Sequence, residues 1–174
     1  IHKNASCNVI GVGIDISKEG IQIAAKKYRD QIWCVGDLSN CPFMANKFNV
    51  LLNILSPSNY GEFRRILKDE GMLIKVVPGS NYLQELREVF YDQTEKETYS
   101  NEKVIHHFEE NFNVNGIEQL QYTIDIHKEN LKHLIRMTPL SWSASKERIE
   151  KALNIGIDSI TVDLTVMYGR NKSR

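Results

Sequence analysis

The sequence predicts a doubly wound α/β fold, and three observations carry that expectation. The segment FNVLLNILSPSNYGEFRRILKDEGMLIKVVPG, Phe48 to Gly79, reads as a buried strand, a polar loop, an amphipathic helix, an Asp-Glu-Gly turn and a second buried strand. Its apolar runs, Val50, Leu51, Leu52, Ile54, Leu55 and then Met72, Leu73, Ile74, Val76, Val77, are near-continuous, as parallel strands covered on both faces require. Two shorter units of the same kind precede it, and each ends in a carboxylate. Ligands of such sheets lie beyond the carboxyl ends of the strands, so the residues following each strand are where chemistry is expected.

In chain order, Val9 to Ile14 is an apolar run ending in Asp15. The helix after it places Ile21, Ala24, Ala25 and Tyr28 at helical spacing, with Ser17 as its cap and Glu19 in its first turn. Ile32 to Val35 is a short buried strand with Asp37 just past its end. An acid such as Asp15, at a strand end of a nucleotide-binding half, suits ribose hydroxyls, neutral donors that need a strong acceptor. A second carboxylate one strand further out suits an exocyclic amine such as that of adenine. After the second buried strand come a helix bearing Leu83, Leu86 and Phe90, a charged loop DQTEKETYSNEK that is the candidate mobile segment, and a helix using Val104, Ile105 and Phe108.

The period then changes to two. Leu120, Tyr122, Ile124 and Ile126 alternate with polar residues, and so do Ile160, Val162, Leu164 and Val166, which predicts two half-buried strands forming an antiparallel pair at one edge of the sheet. Residues 127–156 connect them through one helix around Leu131, Leu134 and Ile135, a Met-Thr-Pro-Leu-Ser-Trp turn, and another around Ile149 and Leu153 ending near Gly156. Long connections in compact domains are often functional lids. If the first of these strands runs parallel to the buried ones, the insertion begins over the rim carrying Asp15, Asp37 and Asn53.

These residues resemble a known family. GIDIS (Gly13 to Ser17), CVGDLSNCPF around Asp37, and NILSPSNYGEFRRILKDEGMLIKVVPG are similar to successive motifs of the class I S-adenosylmethionine-dependent methyltransferases. NILSPS, KVVPGSNYLQELREVFYD and MTPLSW resemble in particular the guanine-N1 methyltransferases of large-subunit (23S) ribosomal RNA, the RlmA family, some members of which give macrolide resistance. The likeness covers nearly the whole chain. It implies a Rossmann-like sheet, mostly parallel with an antiparallel edge strand, S-adenosylmethionine as cofactor with S-adenosylhomocysteine as product, and ribosomal RNA as partner. It also implies cofactor contacts from Asp15, Ile16, Ser17, Asp37, Leu38 and Asn53. Asn53 and Ser56 become the candidates at the reacting centre, and no residue stands out as a general base. Pro57, Ser58, Met137, Thr138, Pro139 and Trp142 are the candidates for the target base, Trp142 by stacking. Competing structural readings have Ser58 or Asn59 capping the next helix, with Glu62 completing a capping box, and Trp142 packing the insertion on the sheet.

The same likeness makes what is missing informative. No strand with a glycine-rich turn precedes Ile10, and the Gly11–Gly13 pair lies inside a strand, where it reads as structural. Cys7, Cys34 and Cys41 lack the CxxC spacing of the zinc module that a family member carries, so no metal is assigned. The chain thus reads as an N-terminally truncated methyltransferase domain, 1–174, with a helical insertion at 127–156. The absent first strand would lie between the strands ending at Asp15 and Asn53, leaving a gap of about 10 Å bordered by unpaired backbone. A homodimer, a strand swap, a rearranged sheet or marginal stability is the expected consequence.

Bulk properties fit a cytoplasmic domain. The 174 residues suffice for one core, the charges balance at 22 basic and 22 acidic, and no apolar run is long enough to span a membrane. Lys26, Lys27 and Arg29, then Arg64, Arg65 and Lys68, read as wet helix faces, and Arg170, Lys172 and Arg174 as a frayed tail. His106 and His107 are adjacent and diverge on a helix, a poor metal pair, and His127 reads as a surface residue. Three functional classes remain open: an RNA guanine-N1 methyltransferase, a small-molecule methyltransferase, and a non-catalytic remnant of the fold. A nicotinamide-linked oxidoreductase explains the first acid only.

Overall fold

The computed structural model describes residues 9–91 and 99–172. Most of the charged loop expected after the third helix, and Cys7, lie outside them. The elements run β1 (Val12–Asp15), α1 (Lys18–Lys27), β2 (Ile32–Val35), β3 (Phe48–Ile54), α2 (Tyr60–Ile66), β4 (Leu67–Pro78), α3 (Gln84–Tyr91), α4 (Glu102–Asn111), β5 (Phe112–Asp125), α5 (Lys128–Met137), a 3-10 turn (Pro139–Ser143), α6 (Lys146–Asn154) and β6 (Ser159–Asn171). Every strand and helix expected from periodicity is present, and the strands run parallel apart from one antiparallel strand. No helix among the described residues is long and apolar enough to cross a membrane.

The strands form two sheets. β1 and β2 pair in parallel, while β3, β4, β6 and β5 make a second sheet in that order. β3 and β4 are parallel, β6 runs against both β4 and β5, and β5 is therefore parallel to β3 and β4. The antiparallel strand sits one position in from the edge. Among the described residues no strand pairs with the free edge of β1 or of β3.

Local chemistry explains the boundaries. Ser17 Oγ accepts from the Gly20 amide at 3.0 Å and starts α1. Asn59, not Ser58, caps α2, its Oδ1 accepting from the Glu62 amide at 3.2 Å. The reciprocal half of the capping box is absent, because the Glu62 carboxylate instead accepts from the Cys41 amide and pairs with Arg65 at 2.7 Å. Arg65 also donates to the carbonyls of Phe43 and Cys41, so it ties the β2–β3 connection to α2 rather than lining a wet face. The Asp-Glu-Gly turn becomes a bulge within β4: one residue of β3, Asn49, opposes four of β4, 68–71, and Glu70 takes the left-handed conformation at φ 61°. At Gly13 a Cβ would run into the Trp33 ring, which confirms a structural role for that glycine.

One core lies between the sheet and α2 and α4, built from Tyr60, Phe63, Leu67, Leu73, Val77, Phe108, Phe112 and Met167. Phe108 and Phe112 stack at 5.5 Å, and Tyr60 meets Phe63, Phe108 and Phe112 edge-on, geometries worth about 0.5–1.5 kcal/mol per pair beyond burial. A second core joins α3, α5 and α6 through Leu86, Phe90, Leu131, Ile135 and Ala152 with Ile160 of β6.

Four strand expectations are corrected by which faces the helices cover. Past Ile160, the buried side of β6 carries Thr161, Asp163 and Thr165, while Val162, Leu164 and Val166 are only half-buried. The reason is that α3 and α4 pack on the polar side and satisfy it. Thr161 Oγ1 donates to Glu85 at 2.6 Å, Asp163 Oδ2 accepts from the Asn81 amide at 2.8 Å, and Thr165 Oγ1 accepts from Asn101 Nδ2 at 2.8 Å. The apolar side continues onto Val50, Leu52 and Ile54 of β3 and Leu120, Tyr122 and Ile124 of β5, all exposed, so β5 is not half-buried and β3 is covered on one face rather than two; in β2, expected to be buried, Ile32 and Val35 are exposed as well.

Asp163 also fixes the turn after β4. Its carbonyl accepts from the Gly79 amide at 2.8 Å, and a Cβ at Gly79 would collide with its carboxylate. Gly79→Ala is expected to lower stability by about 1–3 kcal/mol, as buried overpacking does, read as a lower denaturant midpoint at unchanged slope.

Candidate active site

The carboxyl ends of the parallel strands share one rim. Asp15 closes β1, and its Oδ1 accepts from the Ser17 amide at 2.7 Å. Asp37 repeats the arrangement two residues past β2, with Oδ1 accepting from the Ser39 amide at 2.8 Å. That bond holds the Asp37 carboxyl below its ordinary pKa. Asp15 lies opposite Val35 in the parallel register, and the Gly36 amide donates to the Asp15 carbonyl at 3.0 Å, so the two acidic tips are neighbours. Each turn engages one oxygen of its own carboxylate with a backbone amide two residues on, and Asp37 also takes a hydrogen bond from the Ser39 side chain. Ile16 is exposed beside Asp15, whereas Leu38 packs inward against the aromatic core.

The β3–α2 loop joins this rim. Asn59 Nδ2 donates to the Ser39 carbonyl at 3.4 Å, which ties the Asp37 turn to the NILSPS segment. Asn53 sits at the start of that segment but is only 4% exposed. Its Nδ2 donates to the Pro57 carbonyl at 3.1 Å and its Oδ1 accepts from Lys75 Nζ at 2.6 Å. In this state its amide is committed to shaping the loop. Pro57 and Ser58 are exposed and Ser56 is half-buried, its carbonyl accepting from Lys75 at 3.2 Å.

Lys75 is the residue the sequence reading passed over. It interrupts the apolar run Met72–Val77, lies opposite Asn53 in register, and is 2% exposed. Among the described residues no carboxylate pairs with it, and burial pushes its ammonium down to about 8. A lysine inside a run read as covered on both faces was the signal available.

The insertion overhangs the same rim. Pro78 and Leu120 both lie opposite Leu164, and β5 continues five residues beyond that level to Asp125, about 17 Å along the strand. Met137 and Trp142 are exposed, Trp142 to 80%, so its indole does not pack the insertion onto the sheet. Pro139 is exposed at the start of the 3-10 turn, while Thr138 is buried and caps it through Leu140. His106 and His107 both face Glu110, and no group of three metal-ligating side chains occurs among the described residues.

No family model matches the chain. A Bacillus subtilis protein provisionally named a 23S rRNA (guanine-N1)-methyltransferase is 42% identical over 175 residues, covering 97% of this chain and 62% of that protein. The 23S rRNA (guanine(748)-N1)-methyltransferase of Streptomyces fradiae is 27% identical over 161 residues, 89% of this chain and 56% of its own length. The chain thus spans little more than half of these relatives. Among solved structures, an S-adenosylmethionine-dependent methyltransferase of Methanosarcina mazei superposes with a TM-score of 0.56 at 14% identity, over 92% of this chain and 81% of that one. A Bacillus halodurans protein provisionally described as a methyltransferase gives 0.58 at 15%, over 93% and 83%. By sequence the chain is a homologue of bacterial proteins named 23S rRNA guanine-N1 methyltransferases, and by structure it has the Rossmann-like methyltransferase fold.

Proposed function

We propose that the chain is a single methyltransferase domain, with a helical insertion at 127–156, that transfers a methyl group from S-adenosylmethionine to N1 of a guanine in 23S ribosomal RNA in the cytoplasm. The observation that carries the reading is the pair of acidic tips on adjacent parallel strands, sharing a rim with the NILSPS loop. Asp15 and Asp37 fit the nucleoside end of the cofactor, because a carboxylate is a strong acceptor for a hydroxyl or amine and each is pinned by its own turn. Ile16, Ser17 and Leu38 flank those contacts. When bound, the cofactor supplies an activated methyl, so the chain's own work is positioning.

Asn53 and Ser56 shape the floor where the acceptor enters, with Pro57 and Ser58 exposed above it. Met137, Pro139 and the uncovered face of Trp142 offer apolar and stacking surface for a base, and Thr138 keeps their turn in shape. The free edges of β1 and β3 are where the domain takes up a further strand, from a second copy by pairing or swapping when nothing else supplies it.

Calorimetry with S-adenosylhomocysteine tests the assignment. The chain is expected to bind, and Asp15→Ala to weaken binding about 10- to 100-fold, the scale of one hydrogen bond to a charged group. Equal affinity of the two proteins removes the ribose role of Asp15, and no binding by the parent chain at millimolar ligand, about the weakest affinity worth assigning, removes the cofactor.

A further inference from the structure

Lys75 and the backbone beside it form a clamp that the proposed reaction has not yet used. Leu55, between Asn53 and Ser56, is held at φ 49°, the left-handed region that a branched side chain adopts only under constraint. Its amide donates to the Val76 carbonyl at 3.0 Å, so the strained residue is also the last one pinned to β4. Lys75 brackets it, donating to the Asn53 side chain on one flank at 2.6 Å and to the Ser56 carbonyl on the other at 3.2 Å.

We propose that Lys75 is a positioning residue whose buried ammonium locks the 53–57 loop in the conformation that receives the acceptor base. Three features support the assignment. A lysine can only donate, so it forces Oδ1 of Asn53 toward itself and turns Nδ2 to the Pro57 carbonyl, fixing the amide in one of its two orientations. Both lysine contacts are to the loop and neither is to a carboxylate, so the cation is not part of an ordinary buried ion pair. A buried, uncompensated charge is a stability liability, and strain and such liabilities gather where geometry matters to function.

The inference rests on the methyltransferase reading, and its test separates the two. In Lys75→Met the hydrogen exchange of the amides of residues 54, 55, 56 and 58 is expected to accelerate about tenfold or more, because the two lysine contacts to the loop are gone. With an rRNA fragment, kcat is expected to fall about tenfold or more while KM for S-adenosylmethionine stays within about twofold. Lys75→Met alone strands the Asn53 carbonyl oxygen and lowers Tm. The double variant Asn53→Leu/Lys75→Met replaces both partners with apolar groups and is expected to recover Tm but not loop protection. A merely structural lysine would give recovery of both, which overturns the proposal, as does wild-type exchange in Lys75→Met. If the parent chain transfers no methyl group to RNA, the functional reading fails and loop exchange alone decides the role of Lys75.

Discussion

Raising the pH from 8 toward 10.5 is expected to stabilise the protein through Lys75 by on the order of 3 kcal/mol, a pKa unit being about 1.4 kcal/mol. The ammonium titrates near 10.5 in the unfolded chain and near 8 in the folded one. Between those values the unfolded state binds more protons, so stability rises with pH. Below 8 both states carry the charge and the full burial penalty stands, and above 10.5 neither does. Other groups oppose this at the alkaline end. Burial raises the pKa of the Cys41 thiol and of the Tyr60 and Tyr82 phenols, so each folded form keeps its proton longer and loses stability as pH climbs. The comparison with Lys75→Met isolates the lysine. The difference in denaturant midpoint between the two proteins should widen from pH 7.5 to 9.5, and a constant difference would show that the cation is compensated.

The fold was legible because apolar runs and cap residues are local signals. Ser17, the Ile32–Val35 run and the α5 and α6 spacing depend on nothing distant. The acidic tips were legible for a related reason, since a parallel strand's end is marked in sequence by where its apolar run stops. The faces were harder. Alternation in β6 states that two sides differ and says nothing of which side meets a helix, and here Glu85, Asn81 and Asn101 make the polar side the buried one. Arg65 looked like one more surface cation because its partners, the carbonyls of Phe43 and Cys41, lie 22 and 24 residues away. Lys75 was obscured by its neighbours: five apolar residues around one lysine read as a strand, and only the pairing with Asn53 shows that the exception carries the loop.

The uncovered side of the larger sheet has the largest consequence for how the 174-residue chain behaves alone. Val50 and Ile54 are 50% and 56% exposed on a strand whose outer edge has no partner among the described residues, and Leu120, Tyr122 and Ile124 extend the same apolar side across β5. An apolar face continuous over several strands, next to unpaired backbone donors and acceptors, is the combination that soluble monomers avoid. At concentrations on the order of 10 µM the chain should therefore sediment as a dimer or larger species, with a melting temperature that rises with protein concentration as mass action requires. Leu52→Lys places a charge on that face at the free edge and should shift the distribution toward monomer without removing the α2 and α4 core, since Leu52 points away from Phe63 and Phe108. A concentration-independent, cooperative melt of a monodisperse parent chain would mean that the edge is already covered, and the proposal that it takes a strand from a second copy would fall with it.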